Sequence, residues 1–250
     1  TNAKPLDISI TKNVASMLVA VTIMCLIFIS VAKAYRKREG QAPSGLQNAM
    51  EPLIMFVRDE IARPNIGEKA YKYTPYLLTI FFFIWINNLL GLLPGAANVT
   101  GNIAVTALLS VLTLLITNFS GNKSYWGHIL WPPGVPVPVK FILIPVEIIG
   151  ILTKPFALMI RLFANITAGH IIILSIISLI FMFGKGGTNP GGGYGVSVLS
   201  VAFGVFLTSL ELLVAALQAF IFTMLTALFI GQATEDHGHH DEEHHHAAAH

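Results

Sequence analysis

Residues 141–183 read FILIPVEIIGILTKPFALMIRLFANITAGHIIILSIISLIFMF, an apolar run broken by four ionisable side chains, Glu147, Lys154, Arg161 and His170. A second run, VSVLSVAFGVFLTSLELLVAALQAFIFTMLTALFI at 196–230, carries one more, Glu211. Helix over those 35 residues would extend about 52 Å, against a hydrocarbon core of about 30 Å. Both runs therefore predict helices that tilt steeply, curve or project beyond a bilayer. The stretch between them, GKGGTNPGGGYG at 184–195, reads as a loop, so the two helices must run antiparallel.

Composition places the rest of the chain in the same setting. Of the 250 residues, 54% are hydrophobic and 11% charged, with a mean hydropathy of +0.69. Soluble domains carry about 25% charged residues. These values exclude a disordered chain and an ordinary soluble enzyme. The net charge of +2 is too balanced for a nucleic-acid partner. The single cysteine, Cys25, lies in an apolar run and supports neither a disulfide framework nor a thiolate metal site.

Three shorter apolar runs, 14–32, 76–93 and 103–119, complete a set of five membrane-embedded helices. The first is too long for a signal peptide and is followed by Lys33, Arg36, Lys37 and Arg38. Segment 44–63 contains GLQNAMEPLIMFVRDEIAR, in which Leu46, Met50, Leu53, Ile54, Val57 and Ile61 recur at three- and four-residue steps among charges. That pattern predicts an amphipathic helix on the membrane surface. With the N-terminal segment 1–13 outside, the inner segments hold Lys33, Arg36, Lys37, Arg38, Arg58, Arg63, Lys69, Lys72, Lys123 and Lys140. The outer ones hold only Lys4, Lys12 and Lys185, and cations favour the inner side. The His- and acid-rich tail 232–250 is then cytoplasmic. The expectation is an all-α membrane protein forming a single membrane domain over 1–250, the last two helices long, tilted and antiparallel. It shows no internal repeat of the kind secondary transporters carry.

A charge in the middle of a bilayer costs about 2.5–3.5 kcal/mol even on lenient scales, so it usually lines a wet path or pairs within the protein. Arg161 is too deep to snorkel and stays protonated at any accessible pH. Asn165 lies one turn further on the same face. Lys154, close to the inner end, reads as a snorkelling residue. In an antiparallel hairpin, facing residues have numbers with a nearly constant sum. Arg161 with Gln218 and His170 with Glu211 agree to within two, so one register opposes both polar pairs. Glu147 would lie near the inner surface, Arg161 midway and His170 towards the outside. Titratable groups at two depths, separated by a permanent cation, describe two proton half-paths with a barrier between them.

RLFANITAGH at 161–170 and LQAFIFTMLTALF at 217–229 resemble subunit a of the F-type ATP synthase family. NNLLGLLPG at 87–95, KPFALMIRLF at 154–163 and PNIGEKAYKYTPY extend the resemblance over nearly everything after about residue 40. The resemblance implies that Arg161 is the stator arginine facing the rotor ring of c subunits, with Gln218 opposite and Asn165 one turn away. It implies that Asn88 stands beside the outer access path. Protons would enter past His170 and Glu211, ride a c-subunit carboxyl group round the ring and leave near Glu147. Implied partners are the c-subunit ring, b-type peripheral stalk subunits and the rest of the ATP synthase complex, within membrane lipid. No cofactor or metal is implied, and the chain alone would perform no bond chemistry.

Many bacterial members carry an acid where His170 stands and a histidine where Glu211 stands. The exchange resembles the mitochondrial arrangement but keeps the same acid–base couple. The resemblance to compact bacterial members throughout implies a bacterial plasma membrane, with the mitochondrial inner membrane as the alternative. Two rival functions use the same spans, a self-contained cation/proton secondary transporter with Arg161 and Glu211 in its site, and a structural scaffold. The tail pair His240 and His244 has metal-ligand spacing, but such tails usually bind metals loosely. The glycine-rich loop lacks the phosphate-cradle pattern.

Overall fold

The computed structural model describes residues 11–37, 45–93, 99–130, 136–184 and 190–234. The described residues are helical between short connections. The elements are α1 (Lys12–Lys37), α2 (Leu46–Met55), α3 (Arg63–Ile66), α4 (Ala70–Gly91), α5 (Ile103–Ser120), α6 (Lys123–Leu130), α7 (Val137–Phe183) and α8 (Pro190–Thr234). Among these residues, five helical stretches are long and apolar enough to cross a membrane: Lys12–Lys37, Leu46–Gly91, Ile103–Ser120, Pro138–Phe183 and Gly191–Thr234. The all-α expectation is met.

Several boundaries differ from the sequence reading for physical reasons. α8 begins at Pro190, not at 196, because proline at a first helical position gives up only an N–H that has no intrahelical acceptor. The glycine-rich stretch from 191 is therefore helix rather than loop. The amphipathic segment does not end before the next span. It runs on through a π-helical turn, Phe56–Ala62, and a 3₁₀ turn, Gly67–Lys69, into α4. Pro64 cannot donate to the carbonyl one turn back, and the wider π turn absorbs that missing bond, with Arg63 N–H reaching the Arg58 carbonyl instead. Met50, Val57 and Ile61 are buried, while Leu46 is exposed and Gln47 buried. α6 has no counterpart in the sequence reading. Lys4, Arg38, Lys185, the Pro94-Gly95 stop and the histidine-rich tail from 235 lie outside the described residues.

The chain divides into two compact units, Thr1–Asn48, Phe82–Thr106 and Arg161–Ala219 in the first, and Ala49–Phe81, Ala107–Ile160 and Phe220–His250 in the second. Helices α2, α4, α5, α7 and α8 contribute residues to both. In the first unit the ring of Phe28 on α1 meets Phe82 edge-on at 5.1 Å, and Phe82 also contacts Trp85. There α7 and α8 flank a cavity of about 410 Å³ lined by Ile173, Ile177, Ile180, Ser200, Gly204 and Thr208 among others.

In the second unit the end of α8 is clasped from several directions. The carbonyl of Thr234 accepts from Lys69 Nζ at 2.9 Å and from Asn122 Nδ2 at 3.1 Å. Asn122 N–H donates to the Ala233 carbonyl at 3.0 Å. These bonds satisfy carbonyls that a helix C-terminus leaves without intrahelical partners, and Lys69 puts a cation at its negative end. Gly231 packs directly against the backbone of Asn65. The small residues Ser110, Thr113 and Thr117 are buried along one face of α5, and the Tyr76 hydroxyl lies 3.3 Å from Thr113 Oγ1. Small side chains of this kind let helices approach closely in lipid.

Candidate functional site

The first unit brings most of the sequence-predicted residues onto one hairpin. Arg161 is exposed on α7. Its backbone carbonyl accepts from Gln218 Nε2 of α8 at 3.2 Å, and Gln218 is 2% exposed. Two turns earlier on α8, Glu211 lies against Gly169 of α7. A Cβ at Gly169 would stand 2.8 Å from Glu211 Oε1. Near the tip, a Cβ on Gly193 would lie 3.3 Å from Gly184 Cα. These contacts share one antiparallel register, and the residue touching Glu211 is Gly169. His170 is the next residue of the same helix, and its side chain lies outside the described ones.

Asn88, near the end of α4, ties the same stretch of α8 to the connection before α5. Its Nδ2 donates to the Ala215 carbonyl at 3.2 Å, and its Oδ1 accepts from Thr100 Oγ1 at 2.7 Å. Asn88 is 4% exposed and Thr100 fully buried, so both amide ends are used away from solvent. Ala215 is one turn beyond Glu211 and three residues before Gln218. The Thr100–Asn88 link therefore bears on the segment of α8 that carries both polar side chains. The sequence carries no charge or periodic signal at Thr100, and Gly169 is marked there only by standing beside His170.

Asn165 is exposed one turn past Arg161. Glu147 is exposed and belongs to the second unit, so the structure describes it apart from the hairpin residues. Lys154 also belongs to the second unit. It is half-buried, its Nζ donates to Gln232 Oε1 at 3.0 Å, and it sits 4.9 Å from the centre of the Phe229 ring. Together these let the protein solvate the ammonium itself. Glu147 acts electrostatically on Lys154 and on Tyr125 of α6. Burial, with the negative charge of Glu147 second, pushes the Tyr125 phenol above its ordinary 10.0.

Chemically, the hairpin offers an exposed permanent cation, a buried amide that fixes the backbone bearing it, and a half-buried carboxyl group in a slot made by a glycine. Such groups can hold and pass charge; they form no nucleophile or metal centre. Residues 14–231 match the family described as ATP synthase A chain. ATP synthase subunit a of Chloroherpeton thalassium is 47% identical over 248 residues, covering 98% of this chain and 72% of that protein. ATP synthase subunit a of Chlorobium phaeobacteroides strain BS1 is 48% identical over 240 residues, covering 93% and 68%. That of Anaeromyxobacter sp. strain Fw109-5 is 45% identical over 244 residues, covering 94% and 57%. With a matched stretch that reaches into all five long apolar helices, the chain belongs to the ATP synthase A chain family.

Proposed function

We propose that this chain is the proton-conducting stator subunit of a rotary ATP synthase in a bacterial plasma membrane. The observation that carries the reading is Arg161, an exposed cation in an apolar helix, its backbone tied to the buried Gln218. Arg161 faces the c-ring, favours the ionised form of each passing c-subunit carboxyl group and blocks a direct leak. A proton enters from outside by way of His170 and Glu211, with Asn88 and Asn165 beside the route, and neutralises one carboxylate. After nearly a full turn it leaves by the inner path near Glu147. Each charge moved through 100 mV supplies about 2.3 kcal/mol, and rotation adds these steps to drive ATP formation in the soluble head. The N-terminus is outside and the C-terminus cytoplasmic, and b-type stalk subunits hold the chain against the ring.

The test is ATP-driven acidification of inverted membrane vesicles, wild type against Arg161→Ala, with the amount of assembled complex measured in both. Pumping is expected to vanish while the complex persists. Full pumping by the variant would remove Arg161 from the coupling step and with it this reading.

A further inference from the structure

Where the surface helix turns into α4, the second unit holds a cavity of about 550 Å³, lined by Arg58, Arg63, Gly67, Glu68, Tyr71 and Pro75 among others. That volume is in the range of ligand pockets. Gly67, at φ 72°, makes the corner between α3 and α4. The depth of the cavity follows from the sequence. The apolar run of α4 begins at Tyr76, and Tyr71 stands five residues before it, no more than about 7.5 Å further out. The headgroup layer on each side of a bilayer is about 5–8 Å thick. Tyr71, 87% exposed, and the cavity it lines are therefore at headgroup level.

The lining carries both signs of charge. Asp59 accepts from Arg58 Nε at 3.0 Å and Nη2 at 2.8 Å, and its Oδ1 also meets Arg63 Nη1 at 2.9 Å. Two guanidinium groups on one carboxylate leave a net positive charge. Arg63 engages Asp59 through Nη1, and its side chain is 65% exposed, so the rest of its five-donor fork is open to a phosphate. Glu68, exposed on the lining, adds one negative charge, and Arg58, Asp59, Arg63 and Glu68 together are neutral. A neutral site with a phosphate-binding side and a separate carboxylate matches a ligand that itself carries both charges. An ammonium group there can meet Glu68 and the face of Tyr71.

We propose that this cavity binds the headgroup of a zwitterionic phospholipid of the phosphatidylethanolamine class. Its phosphate lies on Arg63 and Arg58, its ammonium on Glu68, and its glycerol end against Tyr71 and Pro75. Phosphate and ammonium are both present at that depth in the bilayer itself, which favours a lipid over a soluble anion or a peptide. The site does not rest on the function proposed above.

The test uses the assembled complex in phosphatidylglycerol vesicles containing a small fraction of phosphatidylethanolamine with a photoreactive diazirine near the glycerol end of one acyl chain. After irradiation, mass spectrometry scores the label on peptides covering 58–75. Unlabelled phosphatidylethanolamine should displace the label, and the same amount of extra phosphatidylglycerol should not. The label should fall about two- to fivefold in Arg63→Gln and in Glu68→Gln, as for loss of one solvated ion pair. It should stay level in Lys72→Gln, a neighbouring exposed cation outside the lining. Unchanged label in the first two variants, or an equal fall in the third, overturns the site. Equal displacement by phosphatidylglycerol overturns the zwitterionic match. Displacement by millimolar inorganic phosphate would mark a soluble-anion site, and label that appears only once neighbouring subunits are removed would mark a protein contact; either result overturns the lipid assignment.

Discussion

Gly169→Ala should slow proton movement while leaving the subunit in place. The added Cβ would stand 2.8 Å from Glu211 Oε1, 3.1 Å from Cδ and 3.5 Å from Cγ, where ordinary contact begins at 3.4 Å. The clash is confined to the end of a flexible side chain, so the carboxyl group must retreat by about half an ångström, at an off-rotamer cost of about 0.5–1.5 kcal/mol. Alanine in a helix interior gains about 0.5–1 kcal/mol over glycine, so stability should be nearly unchanged. If every transfer through Glu211 must recover the lost position, the same 0.5–1.5 kcal/mol slows pumping by about two- to tenfold. The assay is the initial rate of ATP-driven acidification in inverted vesicles, normalised to assembled complex. Shortening the acid, as Glu211→Asp, should restore part of the rate in the alanine background. Wild-type pumping by Gly169→Ala, or a double variant no better than Glu211→Asp alone, would refute the reasoning.

Gly231→Ala should behave in the opposite way. Its Cβ would collide with the Asn65 carbonyl oxygen and lie 2.9 Å from the carbonyl carbon, both backbone atoms that cannot swing aside. A loss of about 3 kcal/mol or more is expected, read as failure of the subunit to accumulate in membranes. Thr100→Val removes the 2.7 Å bond to Asn88 and leaves a buried acceptor short of a donor, at about 1–3 kcal/mol. The thermal midpoint of the detergent-solubilised complex should fall, with Thr100→Ser close to wild type. Tyr125 gives a pH dependence. Because folding raises its pKa, the protonated phenol favours the folded state up to the ordinary 10.0, and that contribution is lost as pH climbs through the folded value. Dissociation of the complex at alkaline pH should be less steep in Tyr125→Phe, and an unchanged profile would remove Tyr125 from the account.

The apolar runs made the helical architecture legible because hydrocarbon-length segments need little beyond their own composition to be recognised. The hairpin was legible for a related reason. Antiparallel geometry converts residue numbers into partners, and Arg161 and Gln218 could be opposed before any coordinates. What stayed hidden depends on single atoms of unremarkable residues. Thr100 matters through one hydroxyl on Asn88, Gly169 through a missing Cβ, and Gln232 by answering Lys154, and none of these carries a periodic or charge signature. The start of α8 was misplaced because glycines that usually break helices follow a proline that begins one. The π turn at Phe56–Ala62 likewise comes from Pro64, which the amphipathic pattern alone could not weigh.

The clasp on the end of α8 has a consequence for how the protein is made. Lys69 must wait for Thr234, 165 residues further along the chain. At a synthesis rate of about 5–20 residues per second, that is a delay of about 8–33 s. Until the last turn of α8 emerges, the Lys69–Thr234, Asn122–Thr234 and Lys154–Gln232 hydrogen bonds cannot form. The order of biosynthesis therefore sets the order of assembly: the second unit can close around the end of α8 only once the whole helix has been made.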